Sequence, residues 1–181
     1  MIVFISAEAQ DKKAETLKEI RGLYSQTMQD IKQRDTECPE CMGKLTIVNE
    51  ENLPGTGMQT TTTTFYYNSD YNEEAGMEEK TLRFVRKSYN YAARQYLQEY
   101  LFEDGQLIFA FQKGDDDPYT EIRMYDKNGI VIYDEKQKEN GVESHPVNMQ
   151  KISGDDDRVD AIKRGAYYVI GKFDAMSGPA D

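Results

Sequence analysis

The chain has 181 residues, and its 33 Asp and Glu outnumber its 22 Lys and Arg, so the formal net charge is −11 with the one His neutral. This length fits one domain with its own core, while a pI near 4.7 without a cluster of basic residues argues against nucleic acid as a partner. No stretch approaches the roughly 20 apolar residues that span a bilayer. The composition therefore predicts one acidic, soluble domain without a membrane span.

The N-terminal residues resemble the end of a signal peptide. Apolar residues run from Ile2 to Ile5, and Ala7 and Ala9 stand where a signal peptidase needs small side chains. This pattern predicts cleavage after Ala9, with residues 1–9 as the residual signal segment, residues 10–181 as the domain, and export to the periplasm or outside the cell. The missing basic region and short apolar run suggest a start further upstream. The alternative is a short N-terminal strand in a cytoplasmic protein.

An amphipathic helix is predicted from about Lys12 to Gln33. Its apolar residues recur at spacings of three and four: Leu17, Ile20, Tyr24, Met28 and Ile31. Pro39 follows and disfavours helical geometry in the residue before it.

The middle of the chain is rich in β-branched and aromatic residues. Strands are predicted at Gln59–Tyr67, Thr81–Tyr89, Tyr96–Glu103, Gln106–Lys113 and, counted together, Tyr119–Tyr125 followed by Ile130–Tyr133, and Leu45–Val48 is a short candidate. The pairs Asp104-Gly105 and Asn128-Gly129 are the strongest hairpin signals, because both residues of each pair tolerate positive φ. We expect an antiparallel meander of about five or six strands.

A second helix is predicted after Asp155–Asp157, whose charges complement the positive end of a helix dipole. Its apolar stripe is Val159, Ile162, Ala166, Ile170 and Phe173. The order of helix, sheet and helix predicts an α+β fold, with both helices packed on one apolar face of the sheet in two layers.

Alternation along the strands separates two kinds of side chain. Leu101, Phe109 and Met124 are expected to share the buried face. The opposite face is expected to carry Tyr, with Tyr91, Tyr96, Tyr100, Tyr119 and Tyr125 as candidates for stacking on a sugar, a peptide or a partner protein. The alternative is that these rings only cover the sheet.

Cys38 and Cys41 form a Cys-Pro-Glu-Cys motif with three interpretations. In an exported protein, two Cys most simply form a structural disulfide. A redox-active dithiol is the second interpretation, although its first Cys would be expected at a helix N-terminus after a strand. A zinc site is the third, but His145 is the single His, so carboxylates would have to complete it.

Other motifs give little support to catalysis. Ser144 next to His145 does not form a shaped triad, and no phosphate-binding glycine loop occurs. The acidic runs Asp115–Asp117 and Asp155–Asp157 lack the spacing of a calcium-binding loop and fit a turn and a helix start. We predict no metal and no cofactor.

Two segments share a strand, Asp/Asn-Gly, strand pattern: Tyr100-Leu-Phe-Glu-Asp-Gly-Gln-Leu-Ile and Met124-Tyr-Asp-Lys-Asn-Gly-Ile-Val-Ile. They resemble units found in uncharacterised exported bacterial domains and, more distantly, MORN-type hairpin repeats. The resemblance covers about a fifth of the chain and implies hairpins but no catalytic residues.

Three hypotheses follow for function. The first is an exported, non-catalytic binding or interaction domain that uses the Tyr-rich face for a protein, peptide or glycan. The second is a thiol oxidoreductase that uses Cys38 and Cys41. The third is a small-molecule pocket in a curved sheet closed by the N-terminal helix.

Overall fold

The structure is a computed structural model that describes residues 3–74, 76–116, 119–149 and 156–177. Helix α1 spans Val3–Thr36, and its 34 residues give a length of about 51 Å. The predicted helix forms but begins earlier than Lys12. Because residues 3–5 are helical, the alternative of a strand there is wrong. Met1 and Ile2, the first residues of the predicted signal segment, lie outside the described residues.

In the described part of the chain, eight strands form one antiparallel sheet, in which each strand pairs with the next along the chain. The strands are β1 Gly43–Leu53, β2 Gly57–Asn72, β3 Met77–Tyr91, β4 Arg94–Glu103, β5 Gln106–Gly114, β6 Tyr119–Lys127, β7 Ile130–Glu139 and β8 Val142–Met149. The antiparallel meander is confirmed, but the prediction of five or six strands is wrong. The missed strand, β8, is a polar edge strand that contains Pro146, so it shows no apolar alternation.

Three hairpins turn on an Asn-Gly or Asp-Gly pair with φ between 49° and 81°, namely Asp104-Gly105, Asn128-Gly129 and Asn140-Gly141. Positive φ at both positions matches the twist of the flanking strands. The first two turns are confirmed. The third joins β7 to β8 and is the local signal that would have revealed the last strand.

The two helices cover opposite faces of the sheet. Neighbouring residues on a strand point to opposite faces, and Phe84 of β3 packs in the cluster that contains α1 residues, whereas Val85 packs in the other cluster. Leu101 and Phe109 lie on the α1 face but Met124 on the other. The fold therefore has three layers rather than two. The central strands carry apolar residues at odd and even positions, so both faces need a cover.

Helix α2 spans Asp157–Ser177 and buries Val159, Ile162, Ala166, Val169 and Phe173 against the sheet. Phe173 stacks on Phe65 of β2, with ring centroids 5.8 Å apart. Acidic residues stand in the first turn, as predicted, although Asp155 lies outside the described residues. Across the described part of the chain, neither helix combines the length and apolar character needed to cross a bilayer.

Helix α1 crosses the strands instead of following one of them. Lys127 at the end of β6 forms an ion pair with Glu19 at 2.6 Å. Near the other end of the helix, the Arg34 Nε donates to the carbonyl of Met42, just before β1, at 3.1 Å. The helix thus covers a band of the sheet and leaves space along its sides.

Candidate functional site

A cleft of about 380 Å³ lies between α1 and strands β4, β5 and β6. We call it the α1 cleft, and it is lined by Ile20, Arg21, Tyr24, Ser25, Glu99, Phe109, Phe111, Arg123 and Tyr125. Small-molecule sites have volumes of about 300–1,000 Å³ and mostly apolar walls with a few polar groups. The α1 cleft has this size and this composition.

Aromatic rings form the floor of the α1 cleft. Phe109 of β5 and Tyr125 of β6 are directly opposite each other, with ring centroids 5.1 Å apart. Tyr24 reaches down from α1 and meets Phe109 edge-on at 5.2 Å. These contacts fix the rings against one another, so the floor is shaped before any ligand arrives.

Glu99 is a buried carboxylate at the inner end of the cleft, with 4% of its surface exposed. Arg86 lies opposite it on β3, and the Arg86 Nε donates to Glu99 Oε1 at 2.8 Å. The Tyr24 hydroxyl donates to Glu99 Oε2 at 2.7 Å. Burial, then the hydrogen bond to Glu99, raises the pKa of Tyr24 above its ordinary value. Both carboxylate oxygens are therefore engaged within the protein.

Arg123 stands at the outer rim over an aromatic ring. Its Cζ lies 5.1 Å from the centroid of Phe111, and its Nη2 donates to Glu121 Oε2 at 2.9 Å. The Tyr119 hydroxyl donates to the other oxygen of Glu121 at 2.6 Å. Burial, then the hydrogen bond to Glu121, raises the pKa of Tyr119 to about 12. Glu121 is thus held from two sides and fixes the guanidinium above Phe111.

Arg21 is the second guanidinium of the rim. It lies on the exposed side of α1, with its Cζ 5.8 Å from the centroid of the Tyr125 ring. No carboxylate of the described residues pairs with it. A guanidinium over an aromatic face is weakly hydrated and presents several donors to an acidic group. The arrangement can therefore take a flat apolar body on the floor and an anionic group at the rim.

Strand register brings this site together. Arg86, Glu99, Phe111 and Arg123 lie on successive strands, each directly opposite the next. Sequence reasoning assigned Tyr24 only to the apolar stripe of a helix and gave no role to the charged members of this row. Their positions depend on register, and the β4–β5 register includes a bulge at Leu101.

The five candidate tyrosines do not form one surface. Tyr100 is 1% exposed beneath α2, and Tyr125 is 6% exposed on the α1 face. Tyr96 and Tyr119 are half-buried, while Tyr91 is exposed at the end of β3. The prediction that these rings share one side of the sheet is therefore wrong. Alternation shows which residues of one strand share a face, but it does not show which residues of the next strand lie on that same face. Of the five, Tyr125 alone lines the α1 cleft.

Cys38 and Cys41 are joined by a disulfide, with their Cα atoms 5.4 Å apart. The bond closes a short 3₁₀ turn, Pro39–Cys41, between α1 and β1. It ties the end of the helix to the first strand, and neither sulfur lines the α1 cleft.

The remaining candidates are used within the structure. His145 lies on β8 with its Nδ1 3.0 Å from Asp134 Oδ1, away from the α1 cleft. Asp116 accepts hydrogen bonds from the side chains of Arg94 at 2.9 Å and Tyr96 at 2.8 Å. Its neighbour Asp117 lies outside the described residues. Among the residues that the structure describes, no group of three or more His, Cys, Asp or Glu is placed to hold a metal ion.

Fold and site together define an α+β protein with a ligand-sized cleft between a helix and an antiparallel sheet. No protein-family model matches the chain, and neither a curated protein nor a solved structure is significantly similar to it. The resemblance to exported hairpin domains therefore stays a prediction.

Proposed function

We propose that this protein is a non-catalytic binding domain whose α1 cleft takes a small organic anion with a flat, apolar body. One observation carries the proposal: Arg21 and Arg123 stand over an aromatic floor in a chain whose net charge is −11. Arg21 pairs with no carboxylate among the described residues, so its charge is available to a ligand. A ligand carboxylate would supply that partner.

The carboxylate inside the cleft supports binding rather than acid–base catalysis. Glu99 accepts hydrogen bonds on both oxygens, from Arg86 and Tyr24. A general base must lie within hydrogen-bond reach of the proton that it removes, whereas Glu99 is 4% exposed and its closest partners are protein donors. The internal bonds instead neutralise Glu99, so an anion entering the cleft does not meet an unpaired negative charge.

This site takes the place of the Tyr-rich sheet face in the functional hypothesis. Tyr100 and Tyr125 are buried under different helices, whereas the open α1 cleft lies beneath the N-terminal helix and supports the hypothesis of a small-molecule pocket there. Export belongs to the same proposal. The Cys38–Cys41 disulfide supports it, since such bonds persist in oxidising compartments. Sequencing the mature N-terminus in the native host tests it, and an intact Met1 would contradict it.

The binding proposal is tested with the fluorescent aromatic anion anilinonaphthalene sulfonate, displaced by naphthoate. Arg21→Gln removes a rim charge without breaking an internal ion pair. We expect the binding free energy of naphthoate to fall by about 1.5 kcal/mol, which is roughly tenfold in affinity. This value is the low end for a hydrogen bond to a charged group, because Arg21 is exposed.

Two controls separate this site from general charge effects. Arg164→Gln removes the same charge from an exposed position of α2 and should leave naphthoate binding unchanged. Naphthamide keeps the ring and loses the charge, so it should bind more weakly than naphthoate to the wild type. Equal binding of naphthoate by the wild type and Arg21→Gln would contradict the proposal.

A further inference from the structure

A second concavity lies on the opposite face of the sheet, beside the C-terminal half of α2. It has a volume of about 550 Å³ and lies between α2 and strands β1, β2 and β3. Lys87 enters it from β3 and Lys172 from α2, and the groove is also lined by Thr61, Thr63 and Tyr168. We call it the lysine groove.

Within the described residues, the two ammonium groups of the lysine groove form no ion pair with a carboxylate. The Nζ of Lys87 lies 5.0 Å from the centroid of the Tyr89 ring, and the Nζ of Lys172 lies 4.8 Å from the centroid of the Tyr168 ring. Among the described residues, neither forms an ion pair with a carboxylate, although Glu50 and Glu51 of β1 line the same groove. Two like charges from different elements therefore share one concave space.

The electrostatics of Lys87 agree with this geometry. Burial, followed by repulsion from Lys172, lowers the pKa of Lys87. An anion between the two side chains would favour their charged forms and offset the repulsion between them. The hydroxyl groups of Thr61 and Thr63 can donate hydrogen bonds to the same anion.

We propose that the lysine groove binds a tetrahedral oxyanion, the phosphate or sulfate group of a small ligand, between Lys87 and Lys172. A phosphate carries a charge of about −1.5 to −2 at pH 7 and accepts several hydrogen bonds, which suits two ammonium groups and neighbouring hydroxyls. The groove lies across the sheet from the α1 cleft, and the two share no lining residue.

The test titrates inorganic phosphate and sulfate separately into the full chain, with chloride holding the ionic strength constant. Backbone amide resonances of β2, β3 and α2 report the site by NMR. Lys87→Gln and Lys172→Gln should each weaken binding roughly tenfold, as expected for a lost charged hydrogen bond. Lys172→Arg keeps the charge and should retain binding.

Lys32→Gln is the matched control, because it removes one exposed lysine charge from α1 on the other face. Its affinity should equal that of the wild type. Tighter binding of phosphate would assign the groove to phosphate esters, tighter binding of sulfate would assign it to sulfate esters, and equal binding would assign it to tetrahedral oxyanions of both kinds. The proposal is overturned if neither ion shifts the groove resonances, or if both Gln variants bind as the wild type does. Circular dichroism confirms that each variant is folded.

Discussion

Tyr24→Phe removes a single oxygen atom from the interface between α1 and the sheet. The hydroxyl donates to Oε2 of Glu99 at 2.7 Å, and that carboxylate is 4% exposed. The ring contacts with Phe84 and Phe109 do not involve the hydroxyl and are kept. The substitution therefore isolates one hydrogen bond to a buried charge.

The magnitude follows from this environment. A hydrogen bond to a charged group contributes about 1.5–3 kcal/mol to stability. The α1 cleft is open beside Glu99, so water can replace part of the lost donor, and we expect about 1.5–2 kcal/mol. For a chain of this length, this lowers the melting temperature by about 3–8 °C.

Urea unfolding followed by circular dichroism measures the effect. Tyr167→Phe is the matched control, since Tyr167 is 61% exposed on α2, and its change should stay within about 0.5 kcal/mol. A double-mutant cycle with Glu99→Gln should give a coupling of about 1 kcal/mol or more. If Tyr24→Phe is no less stable than Tyr167→Phe, the hydrogen bond does not hold α1 on the sheet and the reasoning fails.

Three further predictions concern other parts of the fold. Gly171→Ala should raise the free energy of unfolding by about 1 kcal/mol, measured by thermal melts, because an added Cβ there meets no other atom. Gly165→Ala should give no such increase, because its Cβ would lie 3.0 Å from the buried hydroxyl of Tyr100. Burial, then the charge of Glu135, raises the pKa of Tyr133 from 10.0 to about 12, so the folded state holds this proton more tightly than the unfolded chain does. The resulting stability is present below pH 10 and is lost as the pH rises to about 12. Urea midpoints that do not change over this pH range would contradict the prediction. Replacing Cys38 and Cys41 by Ser should cost about 2 kcal/mol, since the closed loop is short, and leave naphthoate binding unchanged; insulin reduction that disappears with Cys38→Ser would instead support the oxidoreductase hypothesis.

The sequence by itself determined the local elements. The helical stripe from Leu17 to Ile31 predicts α1, and Asp104-Gly105 and Asn128-Gly129 predict two hairpins that the structure confirms. These features depend on residues close in sequence, because side-chain spacing and backbone φ are local properties. The polar strand β8 shows the limit of apolar patterning, since an edge strand needs no buried face.

The tertiary structure decided which residues meet. Counted from the Asp104-Gly105 turn alone, Glu99 would lie opposite Ala110. The bulge at Leu101 shifts the pairing, so Glu99 lies opposite Phe111 instead. Such a shift changes the cross-strand partner of every residue beyond the bulge. The order of apolar and polar residues within one strand does not predict the position of the bulge. The α1 cleft and the separation of Tyr100 from Tyr125 depend on this register, which is set by packing between elements distant in sequence.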